Sequence, residues 1–83
     1  NPMQDSGSFT YFLAETASQV NIRIYSLAGR LIDQVTGTTR LGYNQVEWTP
    51  PVKLANGSYL YQLEVNRPEG SPVQQSAVLQ VMK

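Results

Sequence analysis

Histidine and cysteine are both missing from this 83-residue sequence. Without histidine there is no imidazole base, which excludes Ser-His-Asp and Cys-His nucleophilic centres and removes the commonest zinc ligand. Without cysteine there are no disulfides and no thiolate metal sites. That absence does not fix a compartment, because many secreted bacterial domains lack cysteine too. Neither sign of charge is in excess: six basic and six acidic residues cancel. No basic stripe is available for nucleic acid or an anionic membrane. No apolar run approaches the ~18 residues of a membrane span, and no signal peptide is visible.

The carboxylates are scattered at Asp5, Glu15, Asp33, Glu47, Glu64 and Glu69. Glu47 and Glu64 share outward strand parity and are the one pair that could meet across a sheet. A glycosidase would need such a pair about 5–9.5 Å apart in a cleft. Two solvated strand residues are the simpler reading. Gly29 stands alone before Arg30 with no helix behind it, so it makes no phosphate loop. The expectation is a non-catalytic domain with no metal and no cofactor.

What is present is a two-residue period. Val20, Ile22 and Ile24 alternate with Asn21, Arg23 and Tyr25, which puts one face of a strand in a core. Ser26 to Gly29 then reverses the chain, with Gly29 suited to a positive φ, and Leu31–Val35 returns as an antiparallel neighbour. The spacing of Ile32 and Val35 predicts a bulge or an early end to that strand. Phe9, Tyr11 and Leu13 mark a first strand. Asn44, Val46 and Trp48 mark a fourth, which Pro50-Pro51 stops.

Asn56-Gly57 is suited to left-handed conformations in a turn. Tyr59, Tyr61, Leu63 and Val65 then line one face of a long fifth strand, and Gln62, Glu64 and Asn66 mark the other as largely wet. Val73 to Met82 is the last strand, with Val73, Ala77, Leu79 and Val81 on one parity. Six to seven short strands without a helical period predict an all-β, immunoglobulin-like antiparallel β-sandwich. Residues 1–8 read as a linker and 9–83 as the domain. The opening Asn1-Pro2, without a start methionine, is read as a piece of a larger protein.

Trp48, Tyr59 and Tyr61 could form a stacking platform for sugars, but all three fall on core parity, where aromatics contribute buried area. Phe12, Tyr25, Leu60, Val78 and Met82 are apolar residues on the otherwise polar parity, and together they would make a docking patch.

Read in order, the motifs are an opening Asn-Pro, Phe9-Thr-Tyr-Phe-Leu13, Val20-Asn-Ile-Arg-Ile-Tyr-Ser-Leu-Ala-Gly-Arg-Leu-Ile32, Gly42-Tyr-Asn-Gln-Val-Glu-Trp48, Leu54-Ala-Asn-Gly-Ser-Tyr-Leu-Tyr-Gln-Leu63 and a final Val-Leu-x-Val-x-Lys. This set resembles the FlgD-like immunoglobulin-like domains and the C-terminal sorting domains of the bacterial type IX secretion system. The matching positions are Asn1, Pro2, Gly29, Arg30, Gly42, Trp48, Asn56, Gly57, Tyr59 and Lys83.

The resemblance implies a sorting and cell-surface attachment domain of a larger exported bacterial protein. It implies passage through the periplasm, a secreted or surface location, and partners in the outer-membrane secretion machinery and the upstream domains. The strand Val78, Leu79, Gln80, Val81, Met82 and Lys83 would be the part presented. Gly29, Arg30, Trp48, Asn56 and Gly57 would be turn and structural positions, with Arg30 expected to hydrogen-bond loop carbonyls. A carbohydrate-binding or structural accessory module, and a flagellar hook-capping domain, are the alternative readings.

Overall fold

A computed structural model describes residues 3–83; Asn1 and Pro2, the first two of the matching positions, lie outside the described residues. The chain is all-β, with six strands: β1 (Gly7–Leu13), β2 (Gln19–Tyr25), β3 (Leu31–Thr36), β4 (Gly42–Trp48), β5 (Gly57–Asn66) and β6 (Val73–Val81). Every pairing between them is antiparallel. β1 and β4 form a two-stranded sheet, and the other four form a sheet in the order β3-β2-β5-β6. The arrangement is that of a β-sandwich.

β2 is the centre, as its alternation predicts. Val20, Ile22 and Ile24 are fully buried between the sheets, each worth roughly 1.5–3 kcal/mol relative to exposure. Phe9, Tyr11 and Leu13 from β1, with Trp48 from β4, close over them. The turn after β2 is clasped by Gly29 N–H donating to Ser26 O at 2.9 Å. Gly29 has φ +90°, where a side chain would be strained. The bulge expected in β3 appears as a register shift: Ile24 faces Asp33, but Tyr25 faces Leu31.

The packing begins before Phe9. Gly7 and Ser8 belong to β1, and Met3 is buried, pairing with Val81 as a short parallel bridge. Its backbone N–H donates to Gln80 O and its carbonyl accepts from Met82 N–H. At the far side, Gly37 allows a close approach. A Cβ there would lie 2.5 Å from the Tyr11 hydroxyl, which instead donates to Thr38 O at 2.6 Å. Asn44 is a buried polar residue on core parity whose amide donates to Arg40 O and Gly42 O while its Oδ1 accepts from Thr38 Oγ1. It is thereby satisfied.

Candidate functional site

Strand β6 lies at the edge of the four-stranded sheet. Of the residues expected to be presented, Val78, Gln80 and Met82 point outward and are exposed, whereas Val81 is fully buried and Leu79 packs against the core. The backbone edge at Gln80–Met82 is already taken by Met3, so the open part of the edge runs from Val73 to Leu79. Lys83 is tied down. Its Nζ donates to Leu54 O at 2.7 Å and its N–H to Asn56 Oδ1 at 3.1 Å. Asn56 and Lys83, both positions in the ordered motif set, thus meet at the end of the sandwich.

The expected docking patch divides in two. In the register, Tyr25 faces Leu60 and Leu60 faces Val78, so these three form one row on the outer face of the larger sheet. Leu31, opposite Tyr25 and half exposed, extends the row across all four strands. At strand spacings near 4.8 Å that row is ~14 Å long. Sequence reasoning missed Leu31 because the bulge, and not simple alternation, puts it there.

Phe12 does not join this row. It lies on the other sheet, against Tyr43, with ring centroids 5.0 Å apart and nearly perpendicular planes. Tyr43 is 81% exposed. It was legible as a register partner only once β1 and β4 were known to pair.

The outer face of the larger sheet carries one ion pair beside the apolar row, Arg23 to Glu64 at 3.4 Å. The Gln74 amide, donating across from β6, holds the Glu64 carboxyl below its ordinary pKa. Burial opposes that shift and the Arg23 charge adds to it. Glu47 sits on β4 next to Gln45, on the opposite side of the sandwich. The pairing of Glu47 with Glu64 is therefore corrected: the two sheets face each other through the core, so their outward residues point apart.

Trp48 is 3% exposed. Its indole N–H donates to Asp33 Oδ2 at 2.8 Å and its ring lies 5.8 Å from Phe9. Tyr61 packs on Phe9 at 4.9 Å, and Tyr59 donates its hydroxyl to Ala55 O. Trp48 is buried in the core, whereas Tyr59 and Tyr61 are half-buried against it. Arg30 needs correction: among the described residues its side chain makes no hydrogen bond. Its backbone closes the turn instead, through N–H to Ser26 Oγ and O from Ser26 N–H. Asn56 is likewise not left-handed; the positive φ is taken by Gly57.

A concavity of about 810 Å³ lies between β1 and the inner face of β5 and β6. Among the described residues no three or more acidic side chains gather where a cation could be held. What these surfaces offer chemically is contact: an apolar row, an open strand edge and an apolar groove. No family model, curated protein or solved structure matches this chain.

Proposed function

We propose that this chain is a non-catalytic sorting and cell-surface attachment domain of a larger exported bacterial protein, recognised through the outer face of its β6 edge. The single observation that favours this reading is the register row Tyr25–Leu60–Val78, which runs into the strand that the resemblance marks for presentation. An apolar row ending on a sheet edge lets a partner combine burial of side chains with strand pairing. The partner is the secretion machinery at the outer membrane, as the ordered motif set implies.

The test changes only outward residues. Gln80→Glu with Met82→Glu leaves Val81 and Leu79 in place, and surface changes of this kind shift stability by no more than about ±0.5 kcal/mol. The expected outcome is loss of export of a fused cargo in a type IX-competent bacterium, with an unchanged melting curve. Normal export of the cargo when the whole domain is deleted would overturn the reading. A second reading, binding of a neutral glycan, rests on the exposed Phe12–Tyr43 pair. It is distinguished by a polysaccharide pull-down that Tyr43→Ala abolishes.

A further inference from the structure

The two sheets differ in width. Two strands lie over four, so the inner face of the larger sheet is covered at β2 and uncovered toward β6. Side chains of one parity along β6 show the change: Val81 is fully buried and Leu79 half-buried, while Ala77 and Gln75 are exposed and Val73 is 48% exposed. The concavity of about 810 Å³ occupies this uncovered strip. Its floor includes Tyr61, Leu63, Val65 and Ala77, and its rim is Phe9–Leu13 of β1 with the Ala14 and Glu15 that follow it. The groove is continuous with the core, since Ile22, Phe9 and Leu13 line it and are themselves buried.

We propose that this groove receives an extended strand from another polypeptide, added along the free edge of β1, with apolar residues at alternate positions facing Tyr61, Leu63 and Ala77. The first argument is hydrogen bonding. β1 pairs with β4 on one edge, and among the described residues no other backbone bond reaches Ser8–Glu15. In an antiparallel pair alternate residues turn N–H and C=O away from the partner, so a row of donors and acceptors lines the groove. A compact apolar ligand would cover that row without satisfying it, whereas a strand pairs with it.

The second argument is spacing. Tyr61, Leu63 and Val65 recur every second residue along β5, a step of ~6.8 Å, which is also the step between same-face side chains of an added strand. The third is charge. Arg67 and Glu15 are the charged residues lining the groove, and their signs are opposite, which fits an occupant without net charge. Among the described residues all six strands are already sheet members, so a second copy could meet this groove only edge to edge and not by laying a free strand in it. The inference does not rest on the sorting reading, whose export test alters only outward residues.

The test uses the full 83-residue chain and a synthetic peptide of about nine residues alternating valine and threonine, a length that spans the rim at ~3.3 Å per residue. The control is a peptide of the same composition with the valines in one block. Amide hydrogen exchange is followed residue by residue. The alternating peptide should slow exchange at alternate residues within Phe9–Leu13 by about tenfold or more. The block peptide should not. Ala77→Arg, at an exposed floor position, should weaken binding by about tenfold while leaving the melting temperature unchanged. Should that variant fail to fold, Gln75→Lys serves in its place.

The proposal falls if no β1 amide is protected at millimolar peptide, if protection appears at the β6 edge instead, or if both peptides act alike. Binding that survives the groove variants also overturns it. So does protection of β1 that rises with protein concentration in the absence of peptide, which would identify a second copy as the occupant.

Discussion

At the closed end of the sandwich, Trp48 spans from β4 to Asp33 on β3, packs on Phe9, and lies over a floor that includes the fully buried Ile24. Met3, Leu54 and Val81 complete the same end of the core. At the open corner, Val73, Gln75 and Ala77 occupy equivalent inward positions along β6 and meet nothing across the gap. The alternation is the same at both places. The difference is whether a second sheet lies opposite, and it teaches that inward parity becomes burial only where there is something to be buried against.

The comparison breaks most sharply at Trp48. Trp48→Ala should cost ~3–5 kcal/mol, because a large core side chain is lost and a cavity remains. For a domain this small that is much of the total stability. Urea denaturation would measure it. Native fluorescence from Trp48 that is already red-shifted and readily quenched would contradict the buried assignment.

The same parity tested at the open corner should give a far smaller effect. Val73→Ser should change stability by about 0.5 kcal/mol or less, since the side chain is already half in water. A cost approaching that of Trp48 would mean that the corner is covered in solution. Nothing in the sequence distinguished Val73 from the fully buried Val81 of the same strand. Val73, Ala77, Leu79 and Val81 read as one face of one strand, and the width of the opposing sheet is a fact about pairing between distant segments.

The smallest effect is electrostatic and reports on β6 itself. Glu64 is held below its ordinary pKa mainly by the Gln74 amide of β6. A carboxylate whose folded pKa is depressed contributes stability that is present above its unfolded pKa. That stability is lost as pH falls through the lower, folded value. NMR titration of the Glu64 carboxyl should therefore place its midpoint below the ordinary glutamate value. Gln74→Ala should raise that midpoint. A Glu64 that titrates normally in the unaltered chain would show that β6 does not hold Gln74 against it.

Local features were legible in the residues because their causes are local. The period of β2, the Gly29 turn, the break at Pro50-Pro51 and the burial of Trp48 follow from side-chain alternation and backbone preference. Arg30 shows the limit: five donors on a side chain say what it can bond, but not whether a carbonyl lies within reach. The docking residues show it again. Tyr25, Leu60 and Val78 were recognisable as misplaced apolar residues, yet only strand register joins them, brings in Leu31 and sends Phe12 to the other sheet.

The sequence alone determined that the chain is all-β, where its turns fall, and which parity of each strand faces inward, since each depends on residues a few positions apart. Only the tertiary structure decided that two strands cover four, that Met3 caps the end of β6, and that a groove opens along β1. Those outcomes depend on long-range pairings, whose partners no local pattern names.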